Sequence, residues 1–321
     1  MHIVDMHCDT ISRLYESRGD LQENEGHVDL KRMKKAGCSL QNFALFINRE
    51  KVEDTFAAVM ELTKLYDREL QKNQQWIAPV YTYEDFVRNE KDGKMSALLT
   101  IEEGAVCKGE VSKLQELYRC GARMLTITWN YPNELGYPNL GSDFLTPDTT
   151  HGLTETGILF LEEMESLGMI PDVSHLSDAG FYDVLSHTKK PFVASHSNAR
   201  KICPVVRNMT DDMIRKLAER GGVIGLNFCE DFLTGLSERQ RTKENILDAV
   251  ICHAEHIRKV GGIGCLGLGS DFDGIPDNRA LPDVSAIDRL IWSLQKKGWK
   301  SSMIDAVMGE NVLRVYREVL C

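Results

Sequence analysis

The chain has 321 residues, of which 42% are hydrophobic and 27% charged, and this composition excludes a disordered or collagen-like protein. Lysine and arginine number 38 against 48 acidic residues, a net charge of −10, so we expect no nucleic-acid binding, because an acidic chain repels phosphate backbones. The sequence has no apolar run long enough for a membrane span, no basic start typical of a signal peptide and nine cysteines without a CxxC pair, which together favour the cytoplasm.

Short apolar runs bounded by polar or glycine residues predict eight β-strands. These runs cover residues 2–6, 39–47, 97–101, 123–128, 169–173, 192–195, 222–227 and 265–269. Amphipathic stretches between the runs predict helices over residues 52–71, 157–167, 178–186, 210–220, 243–259 and 284–297. Thr210 is the expected N-cap of one helix, and Thr154 or Thr156 caps another.

Strands that alternate with helices predict a parallel sheet. Eight such units at this length favour a closed (β/α)8 TIM barrel, one domain over residues 1–321, although an open doubly wound sheet is the alternative. Residues 8–37 and 129–151 read as long βα loops. Loops of this kind build the active site at the carboxyl-terminal face of a barrel.

Imidazole and carboxylate side chains follow five of the predicted strands. They are His7 and Asp9 after the first strand, Glu102 and Glu103 after the third, His175 after the fifth, His196 after the sixth and Asp271 after the eighth. The carboxyl ends of barrel strands converge on one mouth, and a mixed set of histidines and carboxylates suits a borderline ion such as Zn²⁺. The competing interpretation is that each is a buried polar residue satisfied by backbone groups.

The spacing of His7 and Asp9 permits both to bind one ion, because alternate residues of a strand point the same way while Cys8 points aside. A carboxylate after the third strand could bridge two ions, and two histidines on neighbouring strands could complete the second. A pair of metal ions can hold a hydroxide that is nucleophilic at neutral pH.

Taken together, these motifs resemble the membrane dipeptidase (renal dipeptidase) family, peptidase family M19, a branch of the metal-dependent amidohydrolase barrels. The resemblance extends from residue 1 to about residue 320. The matching segments are residues 7–9, 98–104, 125–128, 172–175, 195–197, 206–208 and 269–274.

This resemblance implies a zinc-dependent hydrolase that cleaves dipeptides to free amino acids with a metal-bridging hydroxide. It implies two Zn²⁺ per subunit and dipeptides as substrates, and relatives suggest a homodimer, for which the sequence itself carries no interface signal. No membrane partner is expected, because the chain lacks the signal peptide and lipid anchor of the family's extracellular members. The implied metal ligands are His7 and Asp9 on one zinc, Glu102 bridging both, and His175 and His196 on the other. Arg207 would hold the substrate's terminal carboxylate, and Asp271 would bind its α-amine and shuttle the proton, so that Asp271 and Glu102 are the catalytic residues.

One position departs from the better-known mammalian members, which carry a histidine where this chain has Trp129. That histidine is thought to steady the tetrahedral intermediate. The departure leaves open which group does so here, with a zinc ion or Asn130 as candidates.

Two other functions remain open on the sequence alone. The first is a different amidohydrolase, either an N-acyl-amino-acid deacylase or a cyclic amide hydrolase, and the second is a catalytically silent, metal-bound binding protein. Cys8 is expected to be a packed thiol rather than a nucleophile. His253 and His256, spaced i, i+3 on a predicted helix, are expected to lie on a solvated helix face.

Overall fold

A computed structural model describes residues 1–139 and 145–320. Within these residues, the strands are β1 (Ile3–Asp5), β2 (Cys38–Phe46), β3 (Ile77–Pro79), β4 (Met95–Glu102), β5 (Ala122–Thr126), β6 (Ile170–Asp172), β7 (Val193–Ala194), β8 (Val223–Leu226) and β9 (Leu266–Leu268). All neighbouring pairs are parallel. The order is β2-β1-β9-β8-β7-β6-β5-β4, and the pairing of β2 with β4 closes the ring, so the chain forms the predicted (β/α)8 barrel.

Each of the eight predicted strands has its counterpart in the ring, with ends shifted by a few residues. Strand β3 was not predicted and lies outside the ring. It pairs with the first residues of β4, along the same edge on which β5 pairs with the last residues of β4. Its three residues, Ile-Ala-Pro, are too short for a periodic signal, and a proline argues against a strand except at an edge.

The strands are connected by helices that form the outer layer. These helices are α1 (Thr10–Ser17), α2 (Leu30–Ala36), α3 (Thr55–Lys72), α4 (Tyr83–Lys91), α5 (Val111–Arg119), α6 (Glu155–Leu167), α7 (Asp178–His187), α8 (Asp211–Glu219), α9 (Glu230–Leu233), α10 (Lys243–Gly261), α11 (Ile287–Lys296), α12 (Ser301–Asp305) and α13 (Asn311–Val319). The side chain of Thr154 caps α6 and that of Thr210 caps α8, because each hydroxyl accepts a hydrogen bond from a backbone N–H that has no partner within the helix.

The barrel interior is filled by apolar residues that point inward from the strands and pack against α13. This inner cluster includes Val4, Met6, Leu40, Leu98, Met124, Ile170, Val193 and Val223, together with Val312, Leu313, Val315 and Tyr316 of α13. Arg314 of α13 donates to the carbonyls of Gly221 and Gly264, just before β8 and β9. Helix α13 therefore closes the amino-terminal end of the barrel, and the opposite end stays available for a site.

The segment 8–37, predicted as a long loop, contains the helices α1 and α2. Residues 140–144 of the second predicted loop, and Cys321, lie outside the described residues. In the part of the chain that the structure describes, no helix is both long enough and apolar enough to cross a membrane.

Candidate active site

His7 and Asp9 project from the segment that follows β1. Asp9 occupies the N-cap position of α1, yet its side chain makes no capping hydrogen bond, so the carboxylate stays free for the site. His7 Nε2 lies 3.4 Å from Asp9 Oδ2. Both residues are buried, and His7 Nε2 and Asp9 Oδ1 have no hydrogen-bond partner.

Glu102, the last residue of β4, lies at the centre of the predicted ligands. One of its oxygens, Oε2, is 3.3 Å from His7 Nε2, and the other, Oε1, is 3.2 Å from His175 Nε2 and 3.7 Å from His196 Nε2. Glu103 faces away, since its carboxylate accepts hydrogen bonds from the backbone of Ala105 and the side chain of Asn133. Only Glu102 is therefore in position to bridge two ions.

His175 and His196 present their Nε2 atoms to each other, 3.0 Å apart. The other nitrogen of each ring is held: Nδ1 of His175 by Asn130 Oδ1 at 2.8 Å, and Nδ1 of His196 by Ser195 Oγ at 2.7 Å. Holding Nδ1 leaves Nε2 to face the cluster, which is the usual arrangement of a histidine that binds metal.

Asp271 completes the cluster from the segment after β9. Its Oδ1 is 3.9 Å from His7 Nε2, and its Oδ2 accepts a hydrogen bond of 2.8 Å from Asn227 Nδ2. A Cβ at Gly274 would come within 2.1 Å of Asp9 Oδ2 and 2.7 Å of Asp271 Oδ1. Only glycine at position 274 therefore permits these two carboxylates to lie as they do.

A cavity of about 500 Å³ lies next to this cluster of side chains, and Arg207 is one of its lining residues. The residue is 5% exposed, and its Nε and Nη2 have no hydrogen-bond partner. The guanidinium lies over the ring of Phe232, 5.4 Å from its centre. Because an unpaired buried guanidinium is costly, its placement favours a negatively charged ligand in the cavity.

Backbone strain is concentrated at this mouth. His175, Asp271 and Asp273 adopt φ values of 70°, 65° and 68°, a left-handed conformation that is uncommon for residues other than glycine, although asparagine, aspartate and histidine take it more often than the rest. Each such residue costs of order 1–3 kcal/mol and persists only where its surroundings impose the conformation. Two of these three residues are predicted site residues, so the fold accepts strain in order to orient them.

The charges of the cluster shift its pKa values strongly. Burial, with the neighbouring Asp9 charge, raises the pKa of Glu102 to about 8, and burial raises the pKa of Asp271 to about 6. Burial lowers the pKa of both His175 and His196 well below the ordinary value. For His7, burial acts in the same direction, but the charges of Glu102 and Asp9 outweigh it and raise the pKa well above the ordinary value. Two neutral imidazoles beside crowded carboxylates suit a cation, because the cation relieves the repulsion that holds protons on the acids.

These observations test whether a metal fits. His7, Glu102 and His196 offer three ligand atoms within 4.8 Å of one another, and His7, Asp9 and Asp271 offer a second such set. The unpartnered Nε2 of His7 and Oδ1 of Asp9 face this space. Nitrogen and carboxylate ligands in overlapping sets suit a pair of divalent ions of the zinc type.

Trp129 and Asn130 do not take equivalent places. The Trp129 ring packs 4.9 Å from Phe46 and 5.4 Å from Tyr131, so it forms a wall of the cavity. Asn130 is tied to His175 through its side-chain oxygen. This contact supports a role for Asn130 in positioning His175. That Asn130 stabilises the oxyanion stays a prediction.

Two sequence-based expectations outside the site have clear outcomes. Cys8 is buried, and burial raises the pKa of its thiol well above the ordinary value, so it is a packed thiol as predicted. The solvated face expected for His253 was wrong: the residue is fully buried, and its ring accepts from the backbone N–H of Ala199 and contacts the carbonyl of Leu233. Because both ring nitrogens have a hydrogen-bond partner, this histidine can be buried between its helix and the rest of the protein. The periodicity of the sequence did not indicate this burial.

Sequence reasoning missed Asn227 and Gly274. Asn227 is the last residue of a predicted strand, so the rule that selected the other site residues, polar side chains at strand carboxyl ends, could have selected it. Gly274 lies in the matching segment 269–274, but no signal in the sequence marks it as a residue that the site requires.

Comparison with known proteins gives a consistent answer. The family model described as Membrane dipeptidase (Peptidase family M19) matches residues 1–320. The chain is 35% identical over 235 residues to an uncharacterized protein in the pqqA 5' region of Klebsiella pneumoniae, covering 73% of this chain and 86% of that one. It is 29% identical over 332 residues to Dipeptidase tcpJ of Claviceps purpurea, with coverage of 99% and 75%.

Among solved structures, the crystal structure of dipeptidase AC, described as a metallopeptidase of family M19, superposes with a TM-score of 0.91 at 25% identity. The match covers 100% of this chain and 99% of that one. The barrel, and not merely a part of it, is therefore shared.

Proposed function

The chain belongs to the membrane dipeptidase family, peptidase family M19, and is a metallo-dipeptidase by family; we propose that it hydrolyses dipeptides to free amino acids with two zinc ions. The proposal is based mainly on the arrangement of side chains around Glu102. Buried histidines from the ends of separate strands lie within 3.3 Å of the Glu102 carboxylate, next to a cavity with an unpaired guanidinium.

Within this proposal, His7 and Asp9 hold one zinc, His175 and His196 hold the other, and Glu102 binds both. A zinc pair supplies Lewis acidity for the peptide carbonyl and lowers the pKa of water toward neutrality, so that a hydroxide is available as nucleophile. The chain's own contribution is to fix the ligands and to keep His175 and His196 neutral, which burial achieves by lowering their pKa values.

Asp271 is the proposed proton carrier. Its pKa, raised to about 6 by burial, lies close to neutral pH, where a carboxylate can both accept and return a proton efficiently. Asn227 holds Oδ2 of this carboxylate, which leaves Oδ1, the oxygen nearer His7, to accept a proton from the attacking water and deliver it to the departing amine.

Arg207 is the proposed anchor for the substrate's carboxyl terminus. The unpartnered Nε and Nη2 of its buried guanidinium match the two oxygens of a carboxylate. With Asp271 at the amino end, the cavity recognises two opposite charges at a fixed separation, and a longer peptide would leave one of them unpaired at a cost of a few kcal/mol.

The test is hydrolysis of a free dipeptide compared with the same dipeptide N-acetylated, by zinc-loaded protein. We expect amino acids to be released from the free dipeptide only, since acetylation removes the charge that Asp271 would bind. Equal or faster cleavage of the acetylated compound would instead identify an N-acyl-amino-acid deacylase. A protein that binds zinc and dipeptide but releases no amino acid would be the silent binding protein.

A further inference from the structure

Two carboxylates beneath the site, Asp5 and Asp172, have no part in the proposed reaction although both are buried, at 1% and 0% exposure. Asp5 is the last residue of β1 and Asp172 the last residue of β6. A buried carboxylate is costly unless its oxygens are hydrogen-bonded, so the partners of these two show what they do.

Both carboxylates bind a serine of the neighbouring strand in the same way. Ser270 donates its backbone N–H to Asp5 Oδ1 at 2.8 Å and its hydroxyl to Oδ2 at 2.6 Å. Ser195 donates its N–H to Asp172 Oδ1 at 2.8 Å and its hydroxyl to Oδ2 at 2.6 Å. We call each unit an Asp–Ser clamp: Asp5 with Ser270, and Asp172 with Ser195.

Each clamp also receives a side chain from the strand on its other side. Gln41 of β2 donates to Asp5 Oδ2 at 3.2 Å, and Thr126 of β5 donates to Asp172 Oδ2 at 2.6 Å. Each clamp therefore ties three adjacent strands together directly below the site. In each, the residue after the serine is a proposed site residue, Asp271 or His196.

The clamps differ in what the serine oxygen accepts. Ser195 Oγ gives its only proton to Asp172, so toward His196 Nδ1, 2.7 Å away, it can act only as an acceptor. The imidazole must then carry its proton on Nδ1 and present the Nε2 lone pair to the cluster. Ser270 Oγ instead accepts from the backbone N–H of Phe272 at 3.1 Å, which stabilises the turn that carries Asp271.

We propose that Ser195, through Asp172, is the positioning residue that sets the tautomer and the zinc affinity of His196. Ser270, through Asp5, positions Asp271 for turnover and affects zinc affinity less than Ser195 does, because its own contact with a proposed ligand is to the backbone carbonyl of His7, at 3.2 Å. The inference rests on the zinc site of the proposed function; the Ser195 part does not depend on dipeptide hydrolysis, whereas the Ser270 part does. Groups that orient a metal-binding histidine typically contribute about 10- to 100-fold to metal affinity, and this sets the size of the expected effect.

The experiment compares Ser195→Ala with Ser270→Ala, each of which deletes one hydroxyl from an otherwise matched clamp. Zinc dissociation constants are measured by chelator competition, and the Tm of each metal-free protein is measured beside them. We expect Ser195→Ala to raise the Kd of one zinc about 10- to 100-fold and Ser195→Thr to stay near the wild-type value. Ser270→Ala should change the Kd values less than Ser195→Ala does, while kcat falls. Equal Kd values in all variants, or equal losses from both alanine variants, would overturn the inference.

A second measurement needs no variant. In metal-free wild-type protein with ¹⁵N-labelled histidine, NMR shifts should place the proton of His196 on Nδ1, and a proton on Nε2 would contradict the proposed role of Ser195 directly. If zinc binds as expected but no dipeptide is cleaved, the proposed function and the role of Ser270 in turnover fail together, and the role of Ser195 stands. If dipeptides are cleaved but the tautomer and the Kd values disagree with this account, the clamps fail alone.

Discussion

The two ends of the barrel contrast in how their buried groups are satisfied. At the amino-terminal end, the apolar faces of the strands and α13 pack together, and the Tyr316 hydroxyl donates to Asn42 Oδ1 at 2.8 Å. At the carboxyl-terminal end, His7, Asp9 and Arg207 keep buried polar atoms without a hydrogen-bond partner. Two proposed site residues there also adopt left-handed backbone conformations.

The groups that stabilise the fold and the groups of the proposed site therefore lie at opposite ends of one sheet. The amino-terminal end gains free energy from apolar burial, while the carboxyl-terminal end holds like charges and strained residues that only the surrounding scaffold keeps in place. Mutations at the two ends should therefore fail in different assays.

Replacing Asp271 by Asn should abolish turnover with little effect on folding. The amide cannot accept a proton, so we expect kcat to fall about 10²- to 10⁴-fold, the usual range for loss of a general base, while the protein retains its zinc. Steady-state hydrolysis and metal content of the same preparation measure both. Normal turnover in this variant would assign the proton transfer to another group.

Replacing Leu98 by Ala at the opposite end should have the reverse outcome. Leu98 is fully buried in the inner cluster, and truncation of a buried leucine costs about 2–5 kcal/mol. Urea unfolding of the metal-free protein should show this loss, whereas the zinc Kd and kcat stay at wild-type values. A fall in zinc affinity comparable to the loss of stability would show that the two ends are not separable.

His253 should make stability depend on pH independently of the site. Burial lowers the pKa of this histidine to about 4 in the folded protein, below the value of about 6.5 in an unfolded chain. The unfolded state thus takes up the proton first, so stability is complete above pH 6.5 and is lost as pH falls toward 4, by up to about 3 kcal/mol. Unfolding free energies at pH 7 and pH 5 should differ less in His253→Gln than in the wild type, and the same difference in both would refute the assignment.

Replacing Arg207 by Ala should weaken substrate binding more than chemistry. A charge-assisted hydrogen bond contributes about 1.5–3 kcal/mol, so KM for a free dipeptide should rise about 10- to 100-fold, while KM for the corresponding dipeptide amide, which lacks the carboxylate, changes little. Arg215→Ala, an exposed arginine of α8 paired with Asp212, is the matched control. An unchanged KM in the Arg207 variant would place the substrate carboxylate elsewhere.

The fold and much of the site could be predicted from the sequence because both follow local signals. Buried strands read as short apolar runs, and polar residues at their carboxyl ends stand out, as His175 and His196 do. Strand β3 escaped because three residues with a proline carry no periodic signal. The burial of His253 was not predicted because the backbone groups that satisfy its ring, the N–H of Ala199 and the carbonyl of Leu233, lie 54 and 20 residues away in the chain.

The partners of the site residues could not be predicted for a related reason. Ser195 stands beside His196 in the sequence, but Asp172, which determines where the serine proton goes, comes from the neighbouring strand. Asn227 and Asp271, which form a hydrogen bond, likewise come from neighbouring strands. Such contacts depend on the register of neighbouring strands, and that register is a property of the folded barrel rather than of any local segment.

A zinc titration can show whether one cluster of side chains holds two zinc ions and whether these ions enable dipeptide hydrolysis. Protein freed of metal by a chelator is titrated with Zn²⁺ while bound zinc and hydrolysis of a free dipeptide are followed in the same sample. The account predicts no hydrolysis at the start and activity that rises with zinc until two ions are bound per chain. Full hydrolysis by the metal-free protein, or saturation with zinc without release of amino acids, would contradict it.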